Sequence, residues 1–361
     1  MSSSRRSWKG ALLVAVAVAG VLAAEVPAQA STSTPSLSVI AQNLQNPRKI
    51  TVLHDGSLLV AEAGQGQPGC ATGTCAALTG AVYKVSSDGW QGTVASNLPS
   101  SAAVPSPAGS PVEAAGPIQA YPDGFGGYTV LTGYDGTDTS RAALGPNGAQ
   151  LGTILDTATG TTIADLVHYE TVNNPDGQGP ESNPYGFVRD GNGGFVAIDA
   201  AGNDVVNVDW AGNISTNTVM PEEQTSTGLA QSVPTAVIKG TDGSYYVSDM
   251  GGMRPNAGRI WRLVPGQAPQ LVASGLTNLI DLAQAPDGNL YALSLTSGFG
   301  ATGPAPGALY EVNTSTGTST EIPTGGLLSM PTGLAVGPQG QIYIANHGVG
   351  VGAGQLVQLN Q

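Results

Sequence analysis

Basic side chains are scarce in this sequence, with 12 Lys and Arg against 25 Asp and Glu. A surface of that sign repels nucleic acid and anionic membranes, which argues against both as partners. Histidine is scarcer still: only His54, His168 and His347 occur, with neither a G-x-S-x-G elbow nor an H-E-x-x-H pair. Nucleophilic catalysis therefore lacks its usual parts. His54 precedes an Asp-Gly turn and reads as solvated, His168 reads as a packing residue, and His347 is the one histidine worth testing. The only cysteines are Cys70 and Cys75, in CATGTC. Two sulfurs with no nearby histidine make a poor zinc site. Outside the cytoplasm their expected state is a disulfide, closing a very small loop and stabilising near the low end of about 2–4 kcal/mol. Sustained helical periodicity is missing as well, except in TIADLVHYET (162–171), which predicts one short helix before the third repeat unit.

Long apolar runs are absent save one, ALLVAVAVAGVLAA at 11–24. Fourteen residues are too few to span about 30 Å of hydrocarbon. Arg5, Arg6 and Lys9 precede the run and Ala28-Gln29-Ala30 follows it, the form of a cleaved export signal over 1–30. Arg5-Arg6 partly matches a twin-arginine signal, so either export route is open. Cleavage would remove Arg5, Arg6, Lys9 and Glu25, leaving 331 residues with 9 basic and 24 acidic side chains, net −15. The expectation is a soluble secreted protein: a linker over 31–36, one domain over 37–361, no membrane span after cleavage, and a monomer.

Glycine and proline are plentiful, 52 and 25, and they punctuate short apolar runs as tight turns between strands would. One phrase recurs: an apolar run, a turn ending in Gly, a second apolar run, then a polar residue. It stands at 46–63 (NPRKITVLHDGSLLVAEA), 183–200, 233–250, 278–295 and 330–347 (MPTGLAVGPQGQIYIANH), with a looser copy at 116–134. Asp55-Gly56, Asp242-Gly243 and Asp287-Gly288 supply hairpin turns. Third strands follow at 80–85, 203–208, 258–263, 307–312 and 354–359, and fourth strands at 92–98, 269–276 and 319–323. Four antiparallel strands repeated six times predict an all-β fold, a six-bladed β-propeller of four-stranded antiparallel blades. The surplus length falls in insertions at 64–79, 99–115 and 135–182. The last unit stops after its third strand, while LSVIAQNL (37–44) is an unpaired fourth strand. The N-terminal strand is therefore expected to close the sixth blade and leave no open sheet edge. A β-sandwich and an open solenoid explain the repeat less well.

In such a ring the polar residue closing each second strand falls at an equivalent place: Glu62, Asp199, Asp249, Ser294 and Asn346, with Thr132 or Gly133 in the loose copy. Residues opening each first strand should gather at the same mouth, among them Arg48, Asn183, Tyr185, Thr235, Asp281 and Thr332. Two readings stay open. Converging carboxylates and amide oxygens suit a hard cation such as Ca²⁺, which polarises carbonyls or activates water. Alternatively they end strands around a wet channel, bonded to backbone and water. Arg48, Tyr185, Asp199, Asp281, Asn346 and His347 are the candidate ligand-binding set, and Glu62, Asn183 and Asp249 the candidate metal set. The segment NNPDGQGPESNPY (173–185) also holds several oxygen ligands, but not at EF-hand spacing, and its turns explain most of it.

The run DLVHYETVNNPDGQGPESNPYGF (165–187), with NPRKITVLHDGSLLVAEAGQG, GNDVVNVDWAGNIST and GRIWRLVPG, resembles the ScyD/ScyE family over nearly all of 40–361. That resemblance implies an exported propeller of NHL-like repeats rather than a particular reaction. More distantly the repeats are similar to the senescence-marker-protein/gluconolactonase propellers, which hold a divalent cation on Glu, Asn and Asp and hydrolyse lactones. By position Glu62, Asn183 and Asp249 would take those parts, although the motifs enclosing them in that family are absent here. The leading expectation is a non-catalytic module that binds a small molecule or an extracellular protein at one mouth. The alternatives are a metal-dependent hydrolase or lactonase, and a scaffold with no small ligand.

Overall fold

The computed structural model describes residues 34–104, 112–225, 228–300 and 303–360. The expected export signal over 1–30 lies outside the described residues.

The six phrases each form the two inner strands of a four-stranded antiparallel sheet. Blade 1 is Pro47–Val52, Leu58–Glu62, Thr74–Val85 and Gln91–Ala103, with a two-residue fifth strand Ala114–Ala115. Blade 2 is Pro117–Pro122, Tyr128–Thr132, Thr153–Asp156 and Thr162–Asp165. Blade 3 is Pro184–Arg189, Phe195–Asp199, Asp204–Val208 and Ile214–Val219. Blade 4 is Pro234–Lys239, Tyr245–Asp249, Gly258–Leu263 and Gln270–Leu276. Blade 5 is Leu279–Gln284, Leu290–Ser294, Ala308–Val312 and Ser319–Ile322. Blade 6 is Gly333–Val336, Ile342–Asn346 and Gly354–Asn360, completed by Ser36–Leu44. Val39 pairs with Val357 and Ala41 with Leu356, so the N-terminal strand closes the ring.

Strand alternation explains how this ring builds its core. Successive side chains point to opposite faces, and each blade is covered on both faces by its neighbours. In blade 1, Leu58 and Val60 pack toward blade 6 with Ala335, Ala345, Leu356 and Leu44, while Leu59 packs toward blade 2 with Val130 and Leu155. In blade 3, Phe195 and Ala197 meet blade 2, and Val196 and Ile198 meet blade 4. Clusters between blades 4 and 5 and between 5 and 6 complete six apolar interfaces, one at each joint.

Two local expectations need correction. The helix read at 162–171 begins at Leu166 and runs to Asn173. Thr162–Asp165 is instead the outermost strand of blade 2, paired with Thr153–Asp156. Asp165 ends that strand and caps the helix, its Oδ1 accepting the His168 N–H at 3.0 Å. In the hairpin turns only the glycine takes a positive φ, 80° at Gly56 and Gly243 and 90° at Gly288. The aspartate before it accepts the N–H two residues on, as Asp55 does from Ser57 at 2.9 Å. Cys70 and Cys75 form the expected disulfide. Among the described residues no helix is long and apolar enough to cross a membrane.

Candidate functional site

The site begins at the mouth where the inner strands start. Most start at proline, and the residue before is left-handed in four blades: Asn46 (φ 50°), Val233 (55°), Asn278 (49°) and Met330 (44°). With or without this kink, the carbonyl at this position meets the end of the second strand. Asn46 O accepts from Ala63 N at 3.0 Å, Val233 O from Met250 N at 2.9 Å, and Asn278 O from Leu295 N at 2.9 Å. Backbone groups of the segment leading into the inner strand lack a strand partner, and four of the closing polar side chains, Glu62, Asp199, Ser294 and Asn346, take them. Glu62 Oε1 accepts Gln45 N at 2.7 Å, and Asn346 Oδ1 accepts Ser329 N at 2.8 Å. Asp199 accepts Asn183 N at 2.6 Å, Gly202 N at 3.0 Å, Ala201 N at 3.2 Å and the Ser182 hydroxyl. Ser294 donates to Thr277 O at 2.5 Å, whereas Thr132 donates to Gln150 O at 2.7 Å, just before the third strand of its blade. Asp249 departs from the pattern: its Oδ2 accepts Trp261 Nε1 at 2.7 Å and Arg259 Nε at 3.0 Å, a buried ion pair.

These bonds set the electrostatics of the closers. Burial raises Glu62 against the Gln45 N–H, and raises Asp199 against its four donors. Burial pushes Asp249 up to about 6 despite Arg259 and Trp261. Glu62, Asn183 and Asp249 are thus held in blades 1, 3 and 4, the two carboxylates by groups of their own surroundings. Among the described residues, no three or more His, Cys, Asp or Glu side chains are grouped to hold a metal ion.

Arg48, Asn183 and Tyr185 do come together. They line a cavity of about 670 Å³ at this mouth, with Glu113, Tyr134 and Asp135. One wall is the part of the chain that lengthens blade 1, the ends of Thr74–Val85 and Gln91–Ala103 and the short strand Ala114–Ala115; another is Gly133, Tyr134 and the segment through Leu144. Arg48 is buried, with Nη1 donating to Gly348 O at 2.7 Å and Pro47 O at 3.2 Å, and Nη2 to Ala114 O at 2.7 Å. All three partners are neutral carbonyls, and no carboxylate among the described residues lies within ion-pairing distance of Arg48. Two of its five N–H donors are left over. The Tyr185 hydroxyl, raised by burial and eased down by Arg48, has no hydrogen-bond partner among the described residues. Asp135 at the rim is raised by burial, then by Glu181 and Glu113.

Asp281 sits elsewhere, in a channel cavity of about 230 Å³ that it shares with Lys49, Gln119 and Tyr121. Lys49 Nζ lies 2.6 Å from Asp281 Oδ1, with side-chain exposures of 3% and 5%. The carboxylate also accepts Leu334 N at 2.8 Å and Leu282 N at 3.0 Å. Burial pushes Asp281 up and Lys49 down, and each charge pulls the other back. His347 is half-buried, with a left-handed backbone (φ 53°) and its N–H on Ser329 O. His54 is exposed, and His168, also exposed, meets Asp138 at 2.6 Å. Sequence reasoning did not single out Glu113, Tyr134 or Asp135; all three sit in or beside segments read as insertions.

The ring and its mouth define a six-bladed β-propeller. No protein-family model matches the chain, and no curated protein matches it. Solved structures do. A protein of unknown function from Bacteroides thetaiotaomicron has 10% identity, with 91% of this chain and 76% of that one covered at a TM-score of 0.54. Luciferin-regenerating enzyme has 9% identity, 91% and 95% coverage and a TM-score of 0.51. The calcium-binding protein regucalcin from Agrobacterium tumefaciens has 12% identity, 89% and 92% coverage and a TM-score of 0.50. At these identities the likeness is one of fold.

Proposed function

We propose that this chain is a secreted binding propeller whose ligand occupies the cavity of about 670 Å³. The observation that carries this reading is Arg48: a buried guanidinium at the cavity wall with only carbonyl partners and donors to spare. A buried charge wants a counter-charge, and a planar fork suits a carboxylate or another flat anion. The Tyr185 hydroxyl beside it adds a donor. The acidic rim of Glu113 and Asp135 favours hydroxyl or amino groups on the far side of the same molecule. A small acid bearing such groups fits better than a protein partner, because the volume matches a small-molecule pocket. The export signal and the resemblance to the ScyD/ScyE family support secretion.

The test is a thermal-shift screen of the mature chain against small carboxylates, sugar acids and sugar lactones, followed by calorimetry on hits. Tyr185→Phe removes a hydroxyl that no described residue uses, so the fold stays intact while affinity for a true ligand drops several-fold. A hit indifferent to Tyr185→Phe and Asp135→Asn would place binding elsewhere. Lactone turnover dependent on a divalent ion, and lost in Glu62→Gln/Asp249→Asn, would replace this reading with the hydrolase of the gluconolactonase type.

A further inference from the structure

The junction between the helix Leu166–Asn173 and blade 3 buries more negative charge than the fold neutralises. Glu170, on that helix, is 1% exposed, and Asp204, the first residue of the third strand of blade 3, is 0% exposed. Asp204 stands directly opposite Asp199 in the ladder. Glycine at 202 makes room for the group: a Cβ there would lie 2.8 Å from Glu170 Oε2 and 3.3 Å from Asp199 Cγ, so Glu170 meets the carboxylate that Asp204 stands opposite. Asp199 is saturated by its four donors. Asp176 is occupied too, accepting Asn203 Nδ2 and Gln178 N at 2.8 Å each. Glu170 and Asp204 are not. Both Asp204 oxygens and Glu170 Oε1 are buried without a hydrogen-bond partner, as is Oδ1 of Asn174, which caps the same helix. No Lys or Arg among the described residues pairs with either carboxylate.

Unpaired buried carboxylates are costly, and orphaned acceptors with no donor in reach are rare in native proteins. The unfilled atoms are all oxygen, and two carboxylates completed by amide and water oxygens make a hard-cation set. We propose that this junction is a calcium site with two carboxylate ligands, Glu170 and Asp204, fewer than a three-acid cluster, completed by neutral oxygens, with Asp199 and Asp176 adding negative charge from outside the ligand shell. Bound there, the ion clips the insertion helix onto blade 3. The site is distinct from Glu62, Asn183 and Asp249, and does not depend on the ligand cavity.

The test uses the mature chain stripped with EDTA, titrated with CaCl₂ by calorimetry and melted with Ca²⁺ or Mg²⁺. The expected result is one Ca²⁺ per chain with Kd of roughly 10⁻⁴ M or tighter, the stronger end for extracellular sites. At 10 mM Ca²⁺ that shifts the folding equilibrium about a hundredfold or more, with Mg²⁺ weaker. Glu170→Gln/Asp204→Asn abolishes the response, yet melts no lower than the stripped wild type, because it removes the unpaired charges rather than packing. Glu62→Gln/Asp249→Asn leaves the response in place. The proposal is overturned if wild type takes up no Ca²⁺ at 10 mM, or if binding survives Glu170→Gln/Asp204→Asn. It is equally overturned if Ca²⁺ has no effect while the Gln/Asn variant outlasts wild type at alkaline pH, since protons rather than a cation then fill the site.

Discussion

The Lys49–Asp281 pair tests whether blades 1 and 5 are tied across the channel by charge. At 2.6 Å and an effective dielectric of about 20, the attraction is about 6 kcal/mol before desolvation. Desolvating two ions offsets much of that, so the net value of the pair is small, whereas orphaning one partner costs about 3–5 kcal/mol. In Lys49→Met, Asp281 keeps its bonds from Leu334 N and Leu282 N but loses its only cation. In Asp281→Asn, Lys49 loses its counter-charge and is left with neutral partners, Ile280 O at 3.3 Å, the Tyr185 ring at 5.6 Å and the new amide oxygen. Guanidinium unfolding at neutral pH should show each single variant destabilised by about 3 kcal/mol or more, and Lys49→Met/Asp281→Asn by far less than their sum. The deficit of Lys49→Met is greatest at neutral pH. Without the lysine the folded carboxyl is raised well above its unfolded value, so stability is retained at low pH and lost as pH rises. Additive losses, or single losses under about 1 kcal/mol, would refute a buried ion pair here.

Closure is testable at Leu44, fully buried where the N-terminal strand meets blades 1 and 6: Leu44→Ala should cost about 2–5 kcal/mol in denaturant unfolding. Deleting Ser36–Leu44 should expose the edge of Gly354–Asn360 and give oligomers by light scattering. Gly333→Ala should cost about 1–3 kcal/mol, because a methyl there collides with the Arg48 carbonyl of the adjoining inner strand. The Glu170–Asp204 junction sets a pH dependence: burial and neighbouring carboxylates push Glu170 up to about 8 and Asp204 up to about 9. Both are raised above their unfolded values, so cation-free stability should fall as pH climbs from the ordinary carboxylate range through 8–9, then level off. Asp204→Asn should flatten that profile in thermal melts.

The ring was legible because the blades repeat the same physical solution: alternation that serves two interfaces, a glycine where φ must be positive, and in four blades a left-handed residue before the inner strand. Blade 2 was half hidden for the same reason. Thr153–Asp156 and Thr162–Asp165 are four residues each and begin about twenty and about thirty residues beyond their hairpin, across the insertion. The second runs straight into a helix, so its apolar residues imitate a helical stripe. The disulfide segment and the stretch after 99 read as surplus, yet their strand extensions form the cavity wall. Nothing in their composition says which way a long ribbon leans.

The site was legible by position but not by direction. Register places Glu62, Asp199 and Asn346 at equivalent points, and equivalence suggests convergence on the axis. What decides the direction of such a side chain is the nearest unsatisfied donor, and the segment leading into the inner strand supplies one in the same blade. A carboxylate within reach of a free backbone N–H takes it before it faces a water-filled channel, because an orphaned buried donor costs more than the bond's net worth. Arg48 and Tyr185 open their strands rather than close them. Neither meets a carboxylate: Arg48 bonds only carbonyl oxygens, and the Tyr185 hydroxyl keeps no partner among the described residues, which leaves both able to bind a molecule in the cavity they line.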